Sequence, residues 1–584
     1  MMDFRHPYLT GQIIAYIGNK RSLLPFLHRV FTTLSRDGRE TVFSDPFSGS
    51  GAVSRLARLM GFTVMANDWE PYSYAINSCY LGVGAAELAG LFREQGGLDR
   101  VLAGLSSLPP PLPDERYISR HYAPERTETA DWRRERLFYT AENAAVIDAV
   151  RNKIEEMYPG TPRDEIRFKE KAVLLGPLLY EAATHTNTSG VFKACHKGFG
   201  GHGGDALSRI MARISPRAPV LVDSPVPSRV FCGDAQRFLS SHASHICYLD
   251  PPYAGHQYGS NYFMLNTIAL WDKPEVSTER SPDGRLKEKA GIRKDWTRTR
   301  SEFCYRSTAA DAFRRAASAA DCRFLCVSYS DEGIVSPEEL ADILSETGGL
   351  SVHAEDYVKY PGGKQSAGRT RRNLELLFVV DRTSSARGRG DLEAVLLKDR
   401  LSKLLQSSFY PARIHASFPT RGSAVMFSLA NGAAISLPME GWHRFEHPAA
   451  AAAGLEMRDM EGLFSALSPC RIEDAREELE VVLGLLRESE DTPDDRLMGA
   501  ALRALKSFAH RKYSSEFHAS LRALKAFADS RGENLERFRA GIARIEETAE
   551  KRFGGTPSVP FLQPSLEHDD RLADQESKCV EGRS

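Results

Sequence analysis

The chain has 584 residues, 42% of them hydrophobic and 26% charged, with a formal net charge of −1 at pH 7. That length exceeds one ordinary core, so about two or three domains are expected, and no apolar run is long enough to span a membrane. The near-neutral balance excludes a partner chosen by bulk charge, so any polyanion would have to meet positive charge concentrated locally.

Residues 16–24, YIGNKRSLL, read as a glycine-containing turn running into an amphipathic helix. A short strand follows at 41–44, then the loop DPFSGSG (45–51) and a helix over 52–60. A second strand, 63–66, ends in Asn67, Asp68 and Trp69. Strand, glycine loop, helix, strand and acid, in that order, open a doubly wound α/β sheet. Helical segments are predicted to fill roughly 85–185, most clearly 141–158. Residues 186–205 are polar, glycine-rich and basic, and read as a long loop. Strand signals resume at 229–232, 246–249, 324–327 and 374–380. Between them, 280–306 carries nine Lys or Arg against four Asp or Glu and reads as a surface insertion.

The Ser, Gly and Arg of 383–390 mark a linker, after which the character of the chain changes. A hairpin is predicted over 425–437 around Asn431 and Gly432, then an alanine run at 449–453 and helices from about 472 to 552. The string LRALKSFA (502–509) returns as LRALKAFA (521–528), which two copies make a pair of similar packed helices rather than a solenoid. Residues 556–584 read as a disordered tail.

Two places carry chemistry. The apolar run 246–249 delivers Asp250, Pro251, Pro252 and Tyr253 at a strand end. Two prolines fix the backbone and offer no N–H, leaving carbonyls and the Asp250 carboxylate as acceptors. A planar amino group such as that of a nucleobase suits such acceptors, with Tyr253 placed to stack on the same base; an ordinary turn is the alternative. The second place is the loop 45–51, at the sheet edge where an open α/β sheet binds ligands. Asp45 would repel a phosphate there but hold an ammonium. Asp68, closing the next strand, suits two ribose hydroxyls, and Trp69 could face an adenine. Together these spell S-adenosylmethionine better than NAD, whose G-x-G-x-x-G pattern is missing.

YIGNKRSLL (16–24), DPFSGSGAV (45–53), ND (67–68) and YLDPPY (248–253) resemble, in kind and order, the Dam-like class of N6-adenine-specific DNA methyltransferases. Looser echoes are RLFYTAENAAVIDAVR (136–151), NTSGVFKACHKGFGG (187–201), VSYSDEG (327–333) and NLELLFVV (373–380). The resemblance covers about residues 10–382. It implies a Rossmann-like methyltransferase domain over 1–384, with insertions at about 85–230 and 273–306; the region after 390 resembles no named family, and its residue pattern alone reads as an α+β, mostly helical domain over 391–555. It also implies that Tyr16 and Lys20 contact the cofactor, Lys20 near its carboxylate, with Gly18, Asn19, Pro46, Phe47, Gly49 and Gly51 beside them. Asp45 and Asp68 match the family's cofactor and ribose acids. Asp234 is assigned to the cofactor adenine, although an aspartate in such a turn is equally a helix N-cap.

Double-stranded DNA is the expected partner, and a restriction endonuclease subunit a second one. Candidate DNA contacts are Lys193, His196 and Lys197 in one loop and Lys359, Lys364, Arg369, Arg371 and Arg372 in another, with the insertion at 280–306 as a third source. Cys195, His196 and His202 lack a fourth ligand at sensible spacing, so no metal site is expected. N4-cytosine methylation and RNA adenine methylation remain alternatives; the family's cytosine enzymes more often carry Ser where Asp250 stands. No nuclease signature is found after residue 390. The nine cysteines lack paired C-x-x-C spacing. Cys79, Cys232, Cys247 and Cys326 lie in apolar stretches as reduced core thiols do, and residues 1–11 lack the apolar stretch of a signal peptide. A cytoplasmic protein is expected.

Overall fold

The computed structural model describes residues 2–35, 40–200, 206–358, 372–385, 389–448, 454–488, 495–531 and 535–553. It divides into two compact units, Met1–Asp399 and Arg400–Ser584.

Among the described residues the first unit is built on seven strands: β1 Val42–Asp45, β2 Thr63–Asp68, β3 Ser228–Cys232, β4 Ser244–Leu249, β5 Cys322–Ser330, β6 Gly349–Val358 and β7 Arg372–Asp381. They form one sheet in the order β3-β2-β1-β4-β5-β7-β6. β3 to β5 pair in parallel, and β7 runs antiparallel between β5 and β6. Alternation of side chains along β4 shows how both faces are covered. Ile246 and Tyr248 pack with Phe43, Val64 and the helix Leu24–Leu34 on one face. Cys247 and Leu249 pack with Leu325, Val327 and the helices Ala309–Ala319 and Pro337–Ser345 on the other. A strand buried on both faces reads as a continuous apolar run, which is why β4 and β5 are visible in the sequence.

β6 is not among the predicted strands. It pairs with β7 alone, and Ser351, His353 and Glu355 alternate along it with buried Leu350 and Val352. Its opposite number at the other edge, β3, leaves Cys232 exposed, so that cysteine is not the core thiol its neighbours suggested. The other three, Cys79, Cys247 and Cys326, are buried.

Between β2 and β3 lies the insertion whose core is made by the helices Pro71–Tyr80, Ala141–Met157 and Glu165–Thr184. The expectation that helices fill 85–185 is too generous. Only the short helices Ala85–Leu88, Leu98–Ser106 and Ile118–Tyr122 precede Ala141, because prolines at 109–111, 113 and 124 interrupt the backbone hydrogen bonding.

Among the described residues the second unit carries a four-stranded antiparallel sheet, in which the strands Ala424–Ser428 and Ala434–Glu440 form the predicted hairpin. Gly432 takes φ +85° in its turn. A helix the sequence reading omitted, Arg389–Leu405, starts at the end of the linker-like stretch and runs from the first unit into the second. The repeated octapeptides fall on Asp495–Phe508 and Ser514–Ser530, and Leu505, Phe508, Leu524 and Phe527 share one core. The alanine run and the C-terminal tail lie outside the described residues. Among the described residues no helix is long and apolar enough to cross a membrane.

Candidate active site

In this strand order the chain reverses direction of travel between β1 and β4, which pair through Phe43 with Ile246 and Ser44 with Cys247. Ligands bind at the carboxyl ends of strands flanking such a switch point. There the loops after β1, β2 and β4 enclose a cavity of about 910 Å³, counting space open to solvent. Its lining includes Tyr16, Gly18, Asn19, Lys20, Asp45, Pro46, Phe47, Gly49, Asp68, Trp69 and all of Asp250 to Tyr253. Sequence motifs more than two hundred residues apart therefore share one chamber.

Asp45 ends β1 and is buried. Its Oδ2 accepts a 2.6 Å hydrogen bond from the Ser54 hydroxyl of the next helix, while Oδ1 is buried with no hydrogen-bond partner among the described residues. Burial pushes the carboxyl up to about 7, with the Ser54 bond opposing and the charge of Asp250 reinforcing the shift. An orphaned buried carboxylate oxygen is costly unless a ligand supplies the missing donor.

The loop after Asp45 is shaped by two glycines. Gly49 (φ +49°) lies so close to Tyr16 that an added Cβ would sit 2.9 Å from its ring, and its N–H donates to Asp68 Oδ2 at 2.7 Å. Gly51 (φ +77°) starts the helix Ala52–Leu59 where a Cβ would meet Asn77 Oδ1 at 2.2 Å; it shapes the loop without lining the cavity. Asp68 takes a second backbone donor, Glu70 N–H, on Oδ1 at 2.9 Å. Its carboxylate is thus fixed in orientation, and each oxygen keeps lone-pair capacity for a further donor. Trp69 beside it is 38% exposed at the rim. Asn67 donates to the Pro46 and Gly233 carbonyls and so ties the loops after β1 and β3 together.

Asp234 does what its alternative reading holds. It caps the helix Ala235–Ser241 by accepting from Arg237 N–H at 3.0 Å, and its neighbours Gly233 and Ala235, not Asp234, line the cavity. Asn19 likewise serves its own turn, bonding the Ile14 carbonyl and Arg21 N–H.

Asp250 is held from below. The buried Lys20 ammonium lies 2.9 Å from Asp250 Oδ1 and 3.1 Å from Oε1 of Glu375, a buried acid on β7 that also accepts from the Ser328 hydroxyl at 2.5 Å. Lys20, which the resemblance assigns to a cofactor carboxylate, therefore bridges two acids of the chain itself. Burial lifts the Asp250 carboxyl to about 6, Lys20 opposing and Glu375 adding to the rise. Burial opposes the charge on Lys20, yet the two carboxylates raise its pKa well above the usual lysine value. Tyr253 sits with Lys20 Nζ 5.1 Å from its ring centroid and Tyr329 edge-on at 5.6 Å.

Several lining residues escaped the sequence reading. Glu70 is buried, pushed up to about 7 chiefly by burial, and accepts from Asn266. Tyr258 and Gln257 follow the tetrapeptide closely, and Thr299 and Ser301 come from the basic insertion. Glu375 had a signal: an acid inside the apolar string NLELLFVV.

Of the candidate DNA contacts, Lys193 and Lys197 are exposed, and His196 Nε2 lies 3.3 Å from Ser189 Oγ. Lys359, Lys364, Arg369 and Arg371 lie outside the described residues, as does the side chain of Arg372, whose backbone opens β7.

Comparison with known proteins decides the family. The sequence model of the D12 class N6 adenine-specific DNA methyltransferases matches residues 16–342, more than half of the chain. The chain belongs to this family. It is 29% identical over 372 residues to the type II methyltransferase M.NlaIII of Neisseria lactamica, covering 63% of this chain and 99% of that protein. It is 27% identical to M.CviAII of Paramecium bursaria Chlorella virus 1, over 63% of this chain and 98% of that one. M.FokI of Planomicrobium okeanokoites is also 27% identical, but the match spans 57% of this chain and only 47% of M.FokI. No solved structure matches the chain. As a D12 class methyltransferase the protein methylates adenine in DNA in a site-specific manner.

Proposed function

We propose that the methyl donor is S-adenosylmethionine, and that the acceptor is the N6 amino group of an adenine extruded from duplex DNA. The observation that carries this reading is the convergence of Asp45 and Asp250 on one cavity, the first with an orphaned oxygen that fits an amino acid's ammonium. Asp45 would hold that ammonium, Asp68 the ribose hydroxyls and Trp69 the purine. When bound, the cofactor supplies an electrophilic methyl group on a sulfonium.

The N6 lone pair of adenine is delocalised into the ring and is a poor nucleophile. Hydrogen bonds from N6 to the Asp250 carboxylate and the Pro251 carbonyl draw the amino group toward tetrahedral geometry and localise that pair. Lys20 holds the carboxylate still during the attack. As the new N–C bond forms, N6 has a proton to lose, and a carboxyl near 6 can take it. Catalysis on this account is mainly positioning and electrostatics. A stacked base cannot reach Asp250, so the adenine must flip, with Tyr253 stacking on it.

The test is Asp250→Ala, which removes the acceptor and leaves Lys20 paired with Glu375. Methyl transfer is expected to fall by about 100-fold or more, while calorimetric binding of S-adenosylmethionine stays near that of the parent. Full activity in the variant would end the mechanism. Relatives named as type II methyltransferases and modification methylases support a protective role beside a restriction endonuclease.

A further inference from the structure

Outside the cavity, three segments meet on a single indole. The Arg133 guanidinium carbon lies 5.0 Å from the Trp132 ring centroid, Lys197 Nζ 4.7 Å and Lys289 Nζ 5.8 Å. The meeting is built in. Leu286 N–H donates to the Arg133 carbonyl, and the buried Arg136 donates to the carbonyls of Ser277 and Glu288, clamping the basic insertion to the 131–136 turn. Leu137 N–H reaches the Cys195 sulfur, and Asn187 Nδ2 donates to the Leu137 carbonyl, fixing the third segment beside them.

Cations favour an indole face, but three of them on one ring repel each other. Arg133, Lys197 and Lys289 are all exposed, and no ion pair found among the described residues engages either lysine. Asp131 is 3.8 Å from Arg133 and 3.9 Å from Arg134, too little to neutralise the patch. Such a surface complements a polyanion.

Its position adds the partner. Phe192 N–H donates to the Asn261 carbonyl, so the Lys197 segment abuts the helix Tyr258–Asn261, whose Tyr258 lines the cavity. On the other side the chain runs from Lys289 to Thr299 and Ser301 at the cavity wall. We infer that Trp132, Lys197 and Lys289 form a phosphate-contacting surface for the duplex DNA flanking the target adenine. This rests on the proposed reading that the adenine is drawn from a duplex. The indole holds both ammonium groups near one ring, and the patch fixes register without reading bases.

The test uses the full chain and a mixed-sequence duplex of about 30 base pairs, with affinity followed by anisotropy from about 50 to 200 mM salt. In Lys197→Gln/Lys289→Gln the slope of log K against log salt should be shallower by about 0.9 per lysine. Trp132→Leu should change it in the same direction, with cofactor affinity and melting temperature unaltered in both as the check on folding. A parental slope and affinity in the double variant, from an enzyme that methylates DNA, would overturn the patch and leave the proposed function standing. A parent that binds DNA through these lysines yet methylates none would overturn the function and leave the patch. Equal competition by polyglutamate at matched charge would overturn DNA as the occupant.

Discussion

The acid pair at the heart of the site is balanced by one ammonium. Glu375 pairs with the same Lys20 as Asp250 and raises the Asp250 pKa. Glu375→Gln keeps an acceptor for Lys20 and Ser328 but removes that negative charge. The acidic limb of the kcat profile is expected to rise through about pH 6 in the parent and to move to lower pH by about one pH unit in the variant. An unmoved limb would mean that Glu375 acts on stability alone. Asp45 makes a prediction of opposite sense for binding and stability. A carboxyl held at about 7 when folded contributes stability below the ordinary carboxylate range that is lost as pH rises through about 7. Asp45→Asn should thus raise the melting temperature of the cofactor-free protein at about pH 8 and not at about pH 4. It should weaken S-adenosylmethionine binding by about 2 kcal/mol. Scanning calorimetry and titration calorimetry on the same variant check both halves.

At the scale of elements, the loops after β1, β2 and β4 line the cavity, and the strands present them. Gly51→Ala tests that division. At φ +77° with Asn77 Oδ1 in the way, the variant should lose about 2 kcal/mol of stability, and its cofactor affinity should fall because the loop from Asp45 moves. Unchanged melting would show that the loop tolerates a side chain. The same division explains what could be read in the sequence. Six of the seven strands announce themselves as apolar runs, and the tetrapeptide and glycine loop stand at the ends of two of them. β6 hid because half of its residues are polar. The ion network hid for another reason: Lys20 and Glu375 are charges on distant elements, and only strand order brings them to one carboxylate. Asp234 shows the converse limit, since a motif position can be occupied by a residue busy capping its own helix.

For the molecule as a whole, every described residue lining the cavity belongs to Met1–Asp399, and the family match ends at residue 342. Removing Arg400–Ser584 is therefore expected to leave methyl transfer within about tenfold of the parent; loss of transfer with cofactor binding intact would assign the second unit a part in holding DNA. Site choice measured on the same variant separates DNA recognition from partner binding. The most direct measurement of the central claim is modified-base sequencing of DNA from cells expressing the protein or its Asp250→Ala variant. N6-methyladenine at one recurrent sequence with the parent, and none with the variant, is the predicted result. Methylation of cytosine N4, or undiminished adenine methylation by the variant, would contradict it.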